Sequence, residues 1–112
     1  MGEVVTWVSG NVFRDRQEEI SRGFRAAIDA GIPPGIAETM LLRDGDEVSV
    51  LTTWRTREDL QATIGSPEEP LARRLIREAG GVPSVRIFEV IERASGGPGE
   101  GTTGEPTVPS RT

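Results

Sequence analysis

The sequence predicts an α+β domain, a ferredoxin-like sandwich in which a four-stranded antiparallel sheet carries helices on one side. Segments with strand composition and segments with helical periodicity follow one another in the order βαββαβ. An Asp-Gly dipeptide at residues 44–45 marks a tight hairpin between the second and third strands. Each predicted strand is also apolar at both odd and even positions, so the helices alone would leave one apolar sheet face uncovered.

The first half of the chain predicts a strand followed by a helix. Residues Glu3–Ser9 are rich in β-branched and aromatic side chains, which favour a strand. Residues Arg14–Ala30 have helical periodicity, with apolar positions at Ile20, Phe24, Ala27 and Ile28. Gly31 can adopt the positive φ angle of a helix end, and two prolines follow soon after. The helix is therefore expected to stop at Gly31.

A hairpin follows in the middle of the chain. Residues Ile36–Arg43 and Glu47–Trp54 have strand composition, and Asp44-Gly45-Asp46 lies between them. Glycine supplies the positive φ angle that a short hairpin loop requires. These two segments are therefore expected to be neighbours in the sheet.

Two helix starts and a last strand complete the predicted order. Thr56 is placed to cap a helix that begins with Arg57. Ser66-Pro67-Glu68-Glu69 has capping-box spacing, with proline at the first helical position, and predicts a second helix that ends at Gly80-Gly81. Residues Ser84–Glu92 predict the final strand.

Composition divides the chain near residue 94. Residues 1–94 are long enough for one folded domain. Residues 95–112 contain five Gly, three Pro and a single aliphatic side chain, Val108. Such a segment cannot bury enough apolar surface to offset the entropy of ordering, so a disordered tail is expected.

The residue types that are missing exclude several classes of site. The sequence has no Cys, His, Tyr or Lys, so all thirteen basic residues are Arg. This excludes nitrogen- or sulfur-ligated metals, nucleophiles activated by His, thiol redox chemistry and Schiff bases, and no metal site is expected. A net charge of −5, with Arg scattered among carboxylates, argues against nucleic-acid binding. No apolar run approaches the roughly 18 residues of a membrane span, so a cytoplasmic protein is expected.

The uncovered sheet face indicates a second subunit. Two helices cover one face of a four-stranded sheet, whereas both parities of these strands are apolar. A two-fold homodimer is the simplest closed assembly that covers the other face. The alternative is that loops and edge positions account for the additional apolar residues.

Residues 48–75, VSVLTTWRTREDLQATIGSPEEPLARRL, together with Pro34-Gly35 and Leu41-Leu42, resemble the antibiotic biosynthesis monooxygenase family of dimeric α+β barrels. The resemblance spans residues 3–92. It implies two sheets that face each other across a dimer, with a substrate pocket in each subunit between sheet and helices.

The resemblance also bears on cofactors. The heme-degrading branch of the family uses an Asn on the first strand, a Trp at the end of the third strand and a His after the Ser-Pro. Carried over by register, these positions are Trp7, Trp54 and Arg73, of which only Trp54 matches. A heme enzyme needs an axial ligand, and His, Cys and Tyr are absent. We therefore expect no heme and no other cofactor. Asn11 follows the first strand and is expected to be a turn or helix-cap residue.

The remaining residue types suit direct reaction of an electron-rich aromatic substrate with O₂. Trp54 and Trp7 are candidates for stacking on a flat substrate, with further apolar contacts from Phe88 and Met40. Arg86 is a candidate donor to an enolate oxygen. Glu38 is a candidate general base if burial raises its pKa.

Each candidate also has a structural interpretation. Both Trp residues can be core residues, and Arg86 and Glu38 can lie at the sheet edge or pair with one another. The functional hypothesis is a homodimeric, cofactor-independent monooxygenase or oxidase of a small aromatic or quinol-like metabolite. The alternatives are a non-catalytic metabolite-binding or accessory protein, and an isomerase or cyclase that uses the same pocket.

Overall fold

The computed structural model describes residues 3–96, so the predicted tail lies outside the described residues apart from Ser95 and Gly96. The chain within that range forms four strands and three helices, with one 3₁₀ turn at Arg14–Arg16 before the first helix. In chain order they are β1 (Val4–Asn11), α1 (Gln17–Ala30), β2 (Ile36–Asp44), β3 (Glu47–Trp54), α2 (Arg57–Ile64), α3 (Leu71–Glu78) and β4 (Ser84–Glu89). None of the helices in the described range is long and apolar enough to cross a bilayer.

The four strands form one antiparallel sheet in the order β2-β3-β1-β4. This is the strand order of a split βαβ sandwich, and it confirms the predicted ferredoxin-like α+β fold. The outer strands β2 and β4 are the sheet edges. The hairpin between β2 and β3 closes at Gly45, whose φ of 63° is the positive angle predicted there.

Side chains alternate between two faces along each strand, and the pairing register assigns each residue to one of them. We call the face that packs under the helices the helix face and the other the open face. The open face has three rows of four residues across β2, β3, β1 and β4. The rows are Glu38, Thr53, Val5, Phe88; then Met40, Leu51, Trp7, Arg86; then Leu42, Ser49, Ser9, Ser84.

The helix face holds two apolar clusters. The larger cluster joins β1, β3, α1 and α3, and its buried members are Val8, Val12, Ile20, Val48, Leu75, Ile76 and Ala79. The smaller cluster joins the end of β3 to α2, and its buried members are Val4, Trp54 and Leu60. Gly23 permits the close contact of α1 with α3, because a Cβ there would lie 2.5 Å from Leu75.

Arg16 connects the start of α1 to the end of α3. Its guanidinium donates hydrogen bonds to Glu19, with Nε to Oε2 at 2.6 Å, and to the Glu78 carbonyl at 2.9 Å. The hydrogen bond from Arg16 holds the pKa of the Glu19 carboxyl below its ordinary value. The second bond satisfies a carbonyl at a helix end, where no partner within the helix exists.

The predicted start of the last helix was wrong. Residues 66–70 form no helix, and α3 begins at Leu71, with Pro70 at the N-cap position. Proline disfavours the α conformation in the residue before it, so a helix that starts at Pro67 cannot continue through Glu69. Ser66 Oγ instead accepts a hydrogen bond from the Glu68 amide at 3.2 Å.

Other boundaries also differ from prediction, and β1 extends to Asn11 and β2 to Asp44. The segment Arg14–Arg16 is a 3₁₀ turn, and α1 begins at Gln17, whose buried side chain donates to the carbonyls of Val12 and Gly45. The last strand ends at Glu89, not Glu92. Beyond Glu89, the Val90 amide donates one more backbone hydrogen bond, to the Glu3 carbonyl. The next residue, Ile91, is exposed.

Substitution of Gly45 tests the hairpin. Gly45→Val is expected to lower the free energy of unfolding by roughly 1 to 2 kcal/mol, because a β-branched residue resists positive φ. Gly45→Asn is the matched control, since Asn tolerates this region, and it should cost much less. Urea unfolding measures both. Equal stability of the two variants would contradict the turn geometry.

Candidate functional site

A row of three threonines crosses the centre of the helix face. Thr52 of β3 pairs with Thr39 of β2 on one side and with Thr6 of β1 on the other. The Oγ1 atoms of Thr39 and Thr52 are 3.0 Å apart and share a hydrogen bond. Thr6 and Thr52 are only 7 % and 6 % exposed. Polar side chains therefore occupy a part of the sheet where apolar packing is the rule.

Trp54 extends this row. Its indole Nε1 donates a hydrogen bond of 3.0 Å to Thr6 Oγ1, and the residue is 7 % exposed. The ring packs with Val4 and Leu60, and Ile36 lies against the same cluster. Trp54 is therefore a buried residue with a satisfied N–H, and it joins an apolar cluster to a line of hydroxyl groups.

A cleft of about 230 Å³ opens beside this cluster. Its lining residues come from the start of β1, the start of α2 and the end of β4, and they are Glu3, Val4, Arg57, Glu89 and Val90. Arg57 and Glu89 form an ion pair between α2 and β4, with 2.8 Å between the guanidinium and carboxylate atoms. Both side chains are largely exposed, so this ion pair contributes little to stability.

A second hollow, of about 320 Å³, lies at the opposite end of the sheet. Asn11, Glu47 and Gly80 are among the residues that line it. Asn11 is exposed and is the last residue of β1, where it pairs with Glu47, so the prediction of a turn or helix-cap residue beyond the strand was wrong. In residues 3–96, no group of three or more acidic side chains is placed to hold a metal ion.

The other predicted site residues lie on the open face. Trp7 is central, paired with Leu51 on one side and Arg86 on the other. The Arg86 guanidinium lies 4.9 Å from the centre of the Phe88 ring, which is a cation–π contact. Met40 is 39 % exposed and Phe88 is 37 % exposed. The described chain therefore leaves an apolar and aromatic surface uncovered.

Glu38 and Arg86 are on opposite edges of that surface. Glu38 is on β2 and Arg86 is on β4, and β3 and β1 lie between them. Three inter-strand spacings amount to about 14 Å, which excludes an ion pair within one chain. Both residues are exposed. One subunit alone therefore does not bring the predicted base and the predicted anion donor together.

The structure also separates the two tryptophans. Trp7 is on the open face and Trp54 is on the helix face, so they cannot stack on the same ligand within one subunit. On the first strand Val4, Thr6 and Val8 share the face of Trp54, and Trp7 does not. Arg73 is exposed on α3.

The threonine row was not predicted from the sequence, although the sequence contains a signal for it. Each of the first three predicted strands contains one threonine of this row, and these are Thr6, Thr39 and Thr52. Alternation alone cannot align them, because the register between strands decides whether they form one row. The pairing of Val4 with Trp54 fixes that register for β1 and β3.

Comparisons with known proteins agree with this architecture. A scan against protein-family models finds none that matches the sequence, and a search of curated proteins finds no significant match. Solved structures do match. A candidate antibiotic biosynthesis monooxygenase of Deinococcus radiodurans superposes with a TM-score of 0.65 at 9 % sequence identity, covering 82 % of this chain and 96 % of that one.

Two further solved structures have stated activities. SnoaB of Streptomyces nogalater, a cofactor-independent oxygenase, has a TM-score of 0.63 at 17 % identity, covering 83 % of this chain and 97 % of SnoaB. A heme-degrading protein of Mycobacterium tuberculosis, solved heme-free, has a TM-score of 0.63 at 25 % identity, covering 85 % and 98 %. The resemblance predicted from sequence is thus confirmed as a shared fold, that of the antibiotic biosynthesis monooxygenases.

Replacing each tryptophan by phenylalanine tests their different environments. Trp54→Phe removes a buried hydrogen bond and leaves a smaller ring, and it should lower the unfolding free energy by about 2 kcal/mol. Trp7→Phe is the matched control, because Trp7 Nε1 is shielded from solvent and has no partner among the described residues. It should cost less than about 1 kcal/mol. Chemical unfolding at one protein concentration compares them, and a larger loss for Trp7→Phe would contradict the assignment.

Proposed function

We propose that this protein is a cofactor-independent monooxygenase or oxidase that acts on a small aromatic or quinol-like metabolite. The observation that carries the proposal is the indole of Trp54 hydrogen-bonded to a row of hydroxyl groups between sheet and helices. The resemblance implies that the family's substrate pocket lies in this layer. The solved structures that share the fold include SnoaB, a cofactor-independent oxygenase.

The proposed reaction takes its electrons from the substrate. A deprotonated anthrone or phenol transfers one electron to O₂, and the resulting radicals combine to form a carbon–oxygen bond in a peroxide anion. In an anthrone, protonation and loss of water then leave a quinone carbonyl. A hydroquinone instead gives two electrons and two protons to O₂, which yields a quinone and H₂O₂. The protein has to bind a flat ring and stabilise its anion.

The threonine row supplies suitable donors for that anion. Thr6 Oγ1 accepts a hydrogen bond from Trp54 Nε1, so the hydroxyl proton of Thr6 can be donated to another acceptor. Thr39 and Thr52 share one hydrogen bond between two hydroxyl groups, which leaves one further proton to donate. Trp54 provides the aromatic surface beside them.

A ligand would reach this layer through the cleft at Arg57 and Glu89. Trp54 is buried, so α2 has to move away from the sheet for a ring to lie against it. Because the Arg57–Glu89 ion pair is exposed, its separation costs little. This movement opens the smaller cluster, to which α2 contributes the buried side chain of Leu60.

The homodimer and the roles predicted for open-face residues are also proposals. Apolar side chains including Met40 and Leu42 remain partly exposed there, and a second copy would cover them. Glu38 as base, Arg86 as anion donor, and Trp7, Phe88 and Met40 as substrate contacts stay predictions. They require a site that two subunits complete, because one subunit holds Glu38 and Arg86 on separate edges.

One observation favours a second candidate function. Trp54 is buried and its N–H is satisfied, as in a core residue without a ligand role. A protein that binds an apolar metabolite, or accompanies a biosynthetic enzyme without catalysis, is compatible with that packing.

Oxygen uptake separates the two candidates. Metal-free protein is mixed with an anthrone or a substituted hydroquinone, and O₂ consumption is recorded with an electrode. Wild-type protein should accelerate uptake above the spontaneous rate, and Trp54→Phe and Thr6→Val should each slow it by roughly a hundredfold. Arg73→Ala, on the exposed surface of α3, should have no effect.

The same samples also test for the outcome that would contradict the oxygenase proposal. Ligand binding is followed by tryptophan fluorescence, and circular dichroism checks that each variant is folded. Binding of the anthrone without any acceleration of O₂ uptake would overturn the oxygenase proposal in favour of the metabolite-binding protein.

A further inference from the structure

We propose that a second copy of this chain docks on the open face with the two-fold axis parallel to the strands, so that Glu38 of each copy pairs with Arg86 of the other. The inference rests on the proposed homodimer and adds its orientation and its ion pair. It assigns Glu38 and Arg86 a positioning role between subunits, in place of the base and anion-donor roles predicted from the sequence.

The distribution of charge on the open face is the first observation. A short row at the hairpin end holds Asp44, Glu47 and Asn11, and of the twelve positions in the three full rows only Glu38 and Arg86 are charged. Apolar or small hydroxyl side chains fill the other ten. One acid and one base at opposite edges form a self-complementary pattern, because a two-fold axis presents the same surface to itself. Each dimer would then contain two equivalent ion pairs.

The orientation of the axis follows from the strand order β2-β3-β1-β4. A two-fold axis parallel to the strands, between β3 and β1, places β2 of one copy over β4 of the other. An axis across the strands would place β4 over β4, with Arg86 close to Arg86 of the second copy. Like charges opposed at a buried interface are costly, so the parallel axis is favoured.

The position of the Arg86 side chain is the second observation. Glu38 lies in the row of Phe88, and Arg86 lies one row away. The Arg86 guanidinium, however, sits over the Phe88 ring at 4.9 Å from its centre, which carries the charge toward the Phe88 row. With the parallel axis, Glu38 of the second copy faces that row. The cation–π contact thus holds Arg86 where its partner carboxylate arrives.

The spacing between packed sheets permits this contact. Face-to-face sheets lie about 10 Å apart, with their strands rotated by roughly 30°. Arg and Glu side chains that extend from facing sheets can bridge that gap together. Glu38 and Arg86 are both exposed in the single chain, so neither has to break a buried contact before it pairs.

Charge reversal tests the pairing. Glu38→Arg and Arg86→Glu should each weaken the dimer by roughly a hundredfold in Kd, measured by sedimentation equilibrium. The double variant Glu38→Arg/Arg86→Glu should recover most of the affinity. When the two single variants are mixed, they should form heterodimers, because the introduced arginine of one then meets the introduced glutamate of the other. The second contact of that heterodimer joins the unchanged Glu38 and Arg86, so it is complementary as well. Native mass spectrometry counts these heterodimers.

Matched controls reverse exposed charges away from the open face. Glu68→Arg and Arg73→Glu change the net charge in the same two directions and should leave the dimer affinity unchanged. If a reversal variant does not fold, the neutral variants Glu38→Gln and Arg86→Gln replace it in a double-mutant cycle. A coupling between the two positions supports the pair, and additive effects overturn it.

Two results overturn the inference. A wild-type monomer at tens of micromolar removes the dimer altogether. A dimer that the double variant does not restore, and in which the mixed single variants do not pair, shows a different axis. Either result leaves the oxygen-uptake measurement intact, so failure of the docking geometry and failure of the oxygenase proposal are distinguishable.

Discussion

The register between β1 and its two neighbours is the constraint on which the rest of the structure depends. Val4 pairs with Trp54 on one side and with Glu89 on the other, and side chains alternate from there along all three strands. A slip of one residue between β1 and β3 would turn one strand over relative to the other and place Trp7 and Trp54 on the same face. The hydrogen bond between Trp54 and Thr6 and the placement of Trp7 on the open face both follow from this alignment.

The fold could be predicted because its signals are local. Helical periodicity, the glycine of the hairpin and the Thr56 cap, which accepts a hydrogen bond from the Asp59 amide, are each contained within a few residues. The start of α3 was predicted wrongly because two local signals competed there, and Pro70 prevailed over the capping pattern at Ser66. The site could be predicted only in part. Which residues share a face depends on pairings between segments about fifty residues apart, and a single sequence does not show them.

One row on each face of the sheet departs from the usual arrangement. An antiparallel sheet with one covered face normally places apolar residues under the helices and polar residues in solvent. Here the middle row of the open face contains Met40, Leu51 and Trp7, whereas threonines cross the centre of the covered face. Burying hydroxyl groups has a cost that hydrogen bonds only partly offset, and exposing an apolar row has a cost in water. Both costs are recovered if the covered layer binds a polar aromatic ligand and the open face binds a protein.

The threonine row also divides the interior into two parts of unequal size. The larger cluster unites α1, α3 and two strands, whereas the smaller one has Leu60 as its buried residue from α2. Helix α2 has only eight residues and packs on the sheet mainly through that one side chain. Amide protons of α2 should therefore exchange with solvent through local opening, at a lower free energy than the global unfolding that releases those of α1. The segment that has to move in the proposed ligand entry is thus the one whose detachment leaves the remainder of the domain folded.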